Sequence, residues 1–394
     1  MIGQVFLKKE RDASIHRGHP WLFSGAIASV IGNPPPGAVV QILTFNKKVI
    51  AQGFYNPHSE IAVRIICRVP EAAIDRAFWE ARFRSAVALR NAIRPPQTNA
   101  MRIINAEGDG FPGLVVDQYA DHVVCSMSTM GVELLRDQLL EMIMAILQPK
   151  AILERSTGSA RRREGLTERT DLPYGAELPD KVEIEEHGHR FLVDLRHGQK
   201  TGFFLDQREN RRLVASLSQG LEVLNCFSYT GGFSVYCARA GAKRVTSVES
   251  SKPANEMAAF NLALNGFDVN QHVLYEQDVL KFLRSDDSRY DMVILDPPAF
   301  AKTQKDVSRA ARGYKEINLG AIEKLTPNGY LAAFSCSNHV SPDLFKKIVL
   351  GAVNDAGKSA QILYHLGPGA DHPTDLAHDE GRYLKGLLLR IVEA

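Results

Sequence analysis

Short apolar runs separated by helix-length stretches dominate the second half of the chain: Leu221 to Phe227, Val245 to Glu249, His272 to Gln277, Asp291 to Leu295, Tyr330 to Ser335 and Gly386 to Val392. Apolar runs without a polar face are buried on both sides, and their alternation with helices predicts a parallel, doubly wound sheet. The last run, following Gly381-Arg382-Tyr383, suits a terminal edge strand. In open sheets of this kind ligands collect at the carboxyl ends of the strands, so the residues just after each run are where chemistry is sought.

The first half has a different rhythm. Residues 1 to about 72 carry short β-like runs, among them Val39 to Thr44 and Lys48 to Phe54, punctuated by the turn Asn33-Pro34-Pro35-Pro36-Gly37, and predict a small β-barrel. Glu71 to Arg94 has helical spacing and is stopped at Pro95-Pro96. From Met101 to Glu154 the pattern reads strand (Leu114 to Tyr119), strand (His122 to Met127), helix (Val132 to Ile146) and strand (Ala151 to Glu154), a compact α+β unit. Ser156 to Pro179 reads as a polar loop, followed by a hairpin over Glu183 to Leu195. The predicted architecture is a multidomain α/β protein in three parts: a barrel at 1–72, an α+β domain at 73–196 and a Rossmann-like domain at 197–394.

Composition narrows the class. The 394 residues are 45% hydrophobic and 23% charged, ordinary for a globular chain. No apolar stretch approaches the roughly 20 residues that cross a membrane. The N-terminus lacks the features of a secretory signal, and the expectation is a cytoplasmic protein. Five cysteines without CxxC spacing argue against a disulfide framework or structural zinc. A formal charge of +2 leaves any RNA footprint to local patches such as Arg161-Arg162-Arg163, which either grips phosphate or simply faces water.

The first strand of the alternating half ends in Asn225-Cys226-Phe227-Ser228-Tyr229-Thr230-Gly231-Gly232-Phe233, a glycine-containing turn leading into a helix. Gly231 and Gly232 allow close backbone approach by a ligand, but the turn does not spell the dinucleotide GxGxxG. Glu249 ends the second strand, where a carboxylate can accept hydrogen bonds from both ribose hydroxyls. Asp278 follows the third and either receives an adenine amine or caps the next helix. Turn and two acids together favour S-adenosylmethionine. Upstream, Gln207 and Arg208 either reach the cofactor carboxylate or an RNA phosphate, or are surface positions, while Asp206 is placed to cap a helix.

Asp296-Pro297-Pro298 and Ser335-Cys336-Ser337 close two further runs and are expected to open into one cleft. Carbon 5 of cytosine is too weak a nucleophile to take a methyl group until something adds to carbon 6, and a thiolate does so well. Cys336 would be that nucleophile and Asp296 would hold the N3 and amino edge of the base. Unpaired cysteines serve mostly as small buried hydrophobes. That reading fits Cys67, Cys125 and Cys237, inside apolar patterns, whereas Cys336 follows the strand's last aromatic residue between two serines. Cys226 is a decoy beside the cofactor turn. A free thiol titrates near 8.5, so Cys336 needs a polarising neighbour; His339 is one candidate, and is equally a loop residue.

Gly202-Phe203-Phe204-Leu205-Asp206-Gln207-Arg208, Asp296-Pro297-Pro298-Ala299-Phe300, Arg312-Gly313-Tyr314-Lys315 and Ser335-Cys336-Ser337 resemble the RlmI-type family of large-subunit rRNA cytosine-5 methyltransferases over essentially the whole chain. His16-Arg17-Gly18-His19-Pro20-Trp21 is similar to the family's PUA domain, Glu185-Glu186-His187-Gly188-His189 to the motif of its central domain, and Asp371-His372-Pro373 also resembles family members. The resemblance implies S-adenosylmethionine as donor, a cytosine of 23S rRNA, free or in a large-subunit precursor, as target, and Cys336 as nucleophile. Cofactor contacts are expected at Asn225, Phe227, Ser228, Thr230, Gly231, Gly232, Glu249, Asp278, Asp296, Gln207 and Arg208. Substrate contacts are expected at Pro297, Pro298, Phe300, Arg17, Arg161 and Arg162, with Trp21 either stacking a base or packing in the core. No metal is expected, and a homodimer is compatible with the resemblance. Related RNA enzymes carry a second cysteine beside the Asp-Pro-Pro motif, where this chain has Pro297, Pro298 and Ala299; the carbon 5 proton must leave to solvent, Asp296 or a residue of Arg312 to Lys315.

Two other readings compete. An amino-group methyltransferase making N2-methylguanine or N6-methyladenine would use Asp296 and Phe300 and need no thiol. A ribosome-assembly RNA-binding protein would keep the scaffold without turnover, since fold does not establish function.

Overall fold

The computed structural model describes residues 3–268 and 271–393, so Met1 and Ile2 of the predicted barrel lie outside the described residues. The chain forms two compact units: residues 1–182 with 193–203 and 370–381, and residues 183–192 with 204–369 and 382–394.

The first unit holds two sheets. Strands Gly3–Leu7, Trp21–Leu22, Ile27–Ile31, Val39–Leu43, Val49–Tyr55 and Val63–Cys67 form a six-stranded sheet in which only the pairing of Gly3–Leu7 with Val39–Leu43 is parallel. The Pro-rich turn leads to Gly37 at φ +84°, whose amide donates to the Tyr55 carbonyl at 2.6 Å. Strands Ala100–Asn105, Leu114–Tyr119, His122–Met127, Ala151–Ser156 and Arg169–Tyr174 form the other sheet in simple succession. The helix expected from Glu71 begins instead at Arg76, because the Asp75 carboxylate accepts from the Phe78 amide at 2.9 Å and caps it there. One hydrophobic cluster joins Phe54, Ile66 and Cys67 of the first sheet to Trp79, Phe83 and Phe111, so the two sheets share a core.

The Ser156 to Pro179 segment departs from the predicted loop. Ser159–Arg163 is a short helix, and Arg169–Tyr174 pairs antiparallel with Ala151–Ser156 as an edge strand. Its polar first half, Arg169-Thr170-Asp171, hides it from a search for apolar runs.

In the second unit the strands are β1 (Glu222–Cys226), β2 (Arg244–Glu249), β3 (His272–Glu276), β4 (Tyr290–Leu295), β5 (Leu325–Ser335), β6 (Lys358–Leu366) and β7 (Lys385–Glu393). Six helices accompany them: α1 (Arg208–Ala215), α2 (Gly232–Arg239), α3 (Lys252–Leu264), α4 (Val279–Ser285), α5 (Val307–Glu323) and α6 (Pro342–Asp355). The sheet runs β3-β2-β1-β4-β5-β7-β6, with β1 to β5 mutually parallel. The strand order reverses at β1, which places a crevice at the carboxyl ends of β1 and β4.

The last strand is not the edge expected of it. β7 lies between β5 and β6 and runs antiparallel to both, its Leu387, Leu388, Leu389 and Ile391 buried on both faces. The edge on this side is β6, which opens on the polar Lys358-Ser359-Ala360-Gln361 and carries its short apolar stretch, Ile362-Leu363-Tyr364, exposed.

The Glu183 to Leu192 hairpin belongs to this unit. Glu186 is fully buried and accepts from Arg211 Nε at 2.9 Å, Arg211 Nη2 at 2.8 Å and the Tyr236 hydroxyl at 3.0 Å. His189 stacks on Tyr236 at 3.7 Å, and burial pushes its pKa down to about 4. A buried carboxylate answered by a bidentate guanidinium and a phenol is a structural anchor, which accounts for the Glu185-Glu186-His187-Gly188-His189 motif.

Candidate cofactor and nucleophile site

After β1 the chain turns through three left-handed residues in five: Phe227 at φ +58°, Tyr229 at +48° and Gly231 at +80°. For a non-glycine residue this conformation costs roughly 1–3 kcal/mol, and such outliers concentrate at ligand sites. Gly231 is needed for a second reason, since a Cβ there would meet the Ala258 Cβ of α3 at 3.1 Å. The turn is tied to its neighbours by the Ser228 amide donating to the Val248 carbonyl at 3.2 Å.

Glu249, at the end of β2, is held by that turn. Its Oε2 accepts from the Tyr229 amide at 3.1 Å and its Oε1 from the Ser251 amide at 2.9 Å, fixing the carboxylate at the rim of the crevice. Asn225 donates to Ser234 Oγ at 2.8 Å, which in turn shares a hydrogen bond with Ser247 Oγ at 2.7 Å. Phe204 meets Tyr229 edge to face at 5.3 Å, which carries the segment containing Gln207 to the turn.

The polar atoms left over identify what the crevice is built for. Gln207 Nε2, Asn225 Oδ1, Ser228 Oγ, Thr230 Oγ1 and Asn255 Oδ1 are buried without a hydrogen-bond partner. A buried donor or acceptor left unpaired costs about 1–3 kcal/mol, and several around one turn call for a ligand that satisfies them. S-adenosylmethionine, with an amino group, a carboxylate and two ribose hydroxyls, carries groups complementary to these atoms. Asn255 and the left-handed Tyr229 were not singled out in the sequence, since nothing in their local pattern separates them from helix and turn residues.

The structure also places Asp278 and Arg208, each read two ways from the sequence. Asp278 caps α4, its Oδ1 accepting from the Lys281 amide at 3.0 Å, and stays at the surface. Arg208 is 1% exposed and its Nε donates to Glu209 at 3.1 Å, so it is not a surface residue. Asp206 does not cap α1; its Oδ2 accepts from the Tyr383 hydroxyl at 2.6 Å.

β4 and β5 are adjacent, with Leu295 beside Ala333, and the two motifs leave the sheet together. The Cys336 thiol donates to the Pro297 carbonyl at 3.8 Å, so cysteine and Asp-Pro-Pro loop are in contact. Cys67, Cys125, Cys226 and Cys237 are all buried, and Cys336 alone among the five is half-buried. Desolvation pushes the Cys125, Cys226 and Cys237 thiols well above their ordinary value, which disables them as nucleophiles.

Neighbours on both sides fix Cys336. Ser335 and Ser337 are fully buried; Ser337 Oγ accepts from the Ala301 amide at 3.1 Å and lies 2.9 Å from the Tyr314 hydroxyl. Tyr314, in α5, stacks at a tilt on Phe300 at 4.6 Å. The Arg312 to Lys315 motif thus acts on the cysteine loop through Tyr314, while Lys315 pairs with Asp355 at 2.7 Å. Pro297 is buried, Pro298 is exposed and Phe300 is half-buried. His339 is exposed on the loop; the buried cation near Cys336 is Lys385, which the sequence reading did not single out.

The expected phosphate contacts belong to the first unit, and one needs correction. Arg161 is 1% exposed; its Nη1 donates to the Met127 carbonyl at 2.7 Å and to Glu133 at 2.8 Å, leaving nothing to present to RNA. Arg162 is exposed and paired with Glu168. Arg17 is exposed and lines a cavity of about 430 Å³ with Gly18, Arg68 and Asp375. Trp21 is no open platform: its Nε1 donates to Glu107 at 2.8 Å and His378 packs on its ring at 4.3 Å. Among the described residues there is no metal-type cluster of His, Cys, Asp and Glu, and no helix is long and apolar enough to cross a membrane.

Comparison with known proteins agrees with this geometry. Residues 173–388 match the family model described as S-adenosylmethionine-dependent methyltransferase, and residues 5–68 match the PUA-like domain. Proteins named ribosomal RNA large subunit methyltransferase I are 43% identical in Tolumonas auensis, covering 100% of both chains, and 42% identical in Aeromonas hydrophila, covering 99% of this chain and 100% of the relative. The one from Vibrio cholerae is 41% identical over 100% of both. A Streptococcus mutans structure described as a SAM-dependent methyltransferase superposes with a TM-score of 0.84 at 25% identity, covering 99% of this chain and 100% of its own. Another structure, of a methyltransferase complexed with SAH, gives 0.86 at 25% identity and the same coverage. With full-length relatives and both domain models in agreement, the chain belongs to the ribosomal RNA large subunit methyltransferase I family, in which a PUA-like domain precedes an S-adenosylmethionine-dependent methyltransferase domain.

Proposed function

We propose that this protein methylates carbon 5 of one cytosine in 23S rRNA, free or in a large-subunit precursor, through a covalent adduct at Cys336. The observation that carries the reading is the contact of the half-buried Cys336 thiol with the Pro297 carbonyl at 3.8 Å, beside Asp296, while the other four thiols are buried. S-adenosylmethionine, held by Glu249, Asn225, Ser228, Thr230 and Gln207 with the Gly231-Gly232 backbone, supplies an electrophilic methyl group.

Cys336 as thiolate adds to carbon 6 and makes a carbon–sulfur bond, which moves electron density to carbon 5. Asp296 would hold the N3 and amino edge, its carboxyl proton shared with N3, so that the ring accepts the thiolate in its protonated form. After carbon 5 has gained its methyl group its proton leaves to a base, the carbon–sulfur bond breaks, and the thiolate is regenerated. Tyr314 is fully buried and bonded to Ser337, so its part is to hold the loop. Phe300, backed by Tyr314, offers a ring face to the base.

Substrate charge fits the surroundings. A cavity of about 300 Å³ between the carboxyl end of β6 and the amino end of β7 is lined by Lys346, His365 and Arg382 against a single acid, Asp343, and an RNA backbone suits it. Arg17 and Arg162 would add phosphate contacts from the N-terminal barrel (1–72) and the central domain (73–196), with catalysis in 197–394. The target base must be flipped out or already unpaired to meet a thiol in a crevice. The enzyme would act in the cytoplasm, and a homodimer is compatible with the family.

The test is trapping. An rRNA fragment containing 5-fluorocytidine cannot lose a proton from carbon 5, so the adduct persists. With S-adenosylmethionine present, the native protein should give a covalent protein–RNA band on a denaturing gel and Cys336→Ala none. No band with the native protein, under conditions in which it methylates ordinary rRNA, would favour the amino-group alternative, which needs no thiol.

A further inference from the structure

Cys336 needs an electrostatic reason to be a thiolate near neutral pH, and His339, the one candidate offered by the sequence, is exposed. The antiparallel pairing of β5 with β7 supplies another group. Ser335 is in register with Lys385, the first residue of β7. Lys385 is 5% exposed, and its Nζ donates to the Ser337 carbonyl at 2.6 Å and the Val340 carbonyl at 2.7 Å. Both acceptors belong to the loop that Cys336 opens. The next residue, Gly386, keeps the strand close, since a Cβ there would sit 2.5 Å from Phe334 Cδ1.

We infer that Lys385 is a positioning residue for the methyl-transfer reaction: its ammonium ties the loop after Cys336 to β7 and, as a buried positive charge, favours the Cys336 thiolate.

A buried lysine is costly unless its charge is answered, and nothing about the strand requires one, since beyond Gly386 it continues as Leu387-Leu388-Leu389. Two carbonyl acceptors offset part of that cost, and a thiolate nearby would offset more. The coupling is visible in both partners of the cysteine. Burial pulls the Lys385 amine down to about 8 while Cys336 pulls it back up, and Tyr314 is raised by burial and, to a lesser degree, by Cys336. The groups facing the cysteine loop are therefore Lys385 of β7, Tyr314 of α5, Asp296 after β4 and His339 on the loop itself. Across the cavity that Lys385 also lines stand Asp343 and Lys346 of α6, His365 of β6 and Arg382 before β7. Lys385 is the cation among them with its amine bound to the backbone of the cysteine loop. In this role it keeps its proton through the reaction near neutral pH and loses its charge above about pH 8; the thiol proton goes to solvent, and no bond to lysine forms or breaks.

The inference rests on Cys336 as the nucleophile, so the test avoids methyl transfer. Carboxamidomethylation of Cys336 by iodoacetamide, followed by peptide mass spectrometry across pH 6 to 10 without RNA or cofactor, reports its thiolate fraction directly. Lys385→Gln should move the midpoint upward by about one unit and slow alkylation at pH 7 roughly tenfold. Lys385→Arg, which keeps the charge, should restore most of the native profile, and binding of S-adenosylhomocysteine by either variant confirms the fold. Should Lys385→Gln fail to fold, Lys385→Arg against the native protein and Lys385→Met carries the comparison. Superimposable profiles for native protein and the neutral variants would overturn the inference even if Cys336 is essential. If Cys336→Ala instead retains methyl transfer, the nucleophile reading fails, whatever the alkylation profiles report about Lys385.

Discussion

Replacing Glu249 by glutamine tests the cofactor crevice with a change of a single atom. In the native protein Oε1 accepts from the Ser251 amide and Ser250 hydroxyl at 2.9 and 3.3 Å, and Oε2 from the Tyr229 amide at 3.1 Å. An amide side chain can present oxygen to only one of these sets; its NH2 must face the other backbone donor. The ribose hydroxyls then lose one charged acceptor, worth about 1.5–3 kcal/mol, while the turn loses one backbone hydrogen bond worth about 1 kcal/mol. By calorimetric titration, Kd for S-adenosylhomocysteine should rise roughly 10- to 100-fold, with melting temperature changed by only a few degrees. A Kd within about twofold of native would mean that Glu249 does not hold the ribose, and that the crevice has been assigned to the wrong ligand.

Three further outcomes follow from individual contacts. Arg90 has no exposed surface and holds Asp109 at 2.6 and 2.7 Å, together with the Asp371 carbonyl at 2.9 Å; Arg90→Met strands a buried carboxylate and should cost about 3–5 kcal/mol in denaturant unfolding, while a loss under about 1 kcal/mol would contradict that pairing. His189 is neutral in the folded state down to about pH 4, against an ordinary 6.5, so the unfolded chain takes up the extra proton first and stability falls as pH drops from 6.5 to 4; melting of native protein and His189→Phe at pH 7.5 and 5 should show the variant losing less, and parallel losses would refute this. Arg17→Glu should weaken rRNA binding and flatten the slope of log affinity against log salt by about one, whereas an unchanged slope removes Arg17 from the RNA face.

Removing residues 1–72 would be a poorer probe of RNA binding than Arg17→Glu. Phe54, Ile66 and Cys67 contribute to the core around Trp79 and Phe83, so the deletion opens that core. Sequence reading separates the barrel because its strands are punctuated by turns, but a shared hydrophobic core leaves no local mark.

Strands buried on both faces were legible: β1, β2, β4 and the apolar half of β5 stand out as continuous apolar runs. Arg169–Tyr174 was not, because a polar edge strand looks like a loop until its partner is known, and β6 was not, because its apolar stretch Ile362-Leu363-Tyr364 is only three residues long. The interior position of β7 depends on pairing with β6, which no run of residues encodes. Cys336 and Asp296 were legible because each closes an apolar run, the position where a parallel sheet exposes its chemistry. Lys385 escaped notice because a single lysine before a leucine run reads as a surface residue, and only the register with Ser335 buries it beside the cysteine loop. Arg161 failed in the opposite sense: three consecutive arginines suggest one basic patch, but a short helix turns them to different sides and buries the first.

The central claim is thiolate methylation of cytosine, and it is tested most directly by methyl transfer from labelled S-adenosylmethionine to unmodified 23S rRNA with native protein and Cys336→Ala in parallel, read by nucleoside mass spectrometry. Labelled 5-methylcytosine from the native protein and none from the variant is the result predicted; a labelled methylpurine, or undiminished transfer by Cys336→Ala, would contradict it.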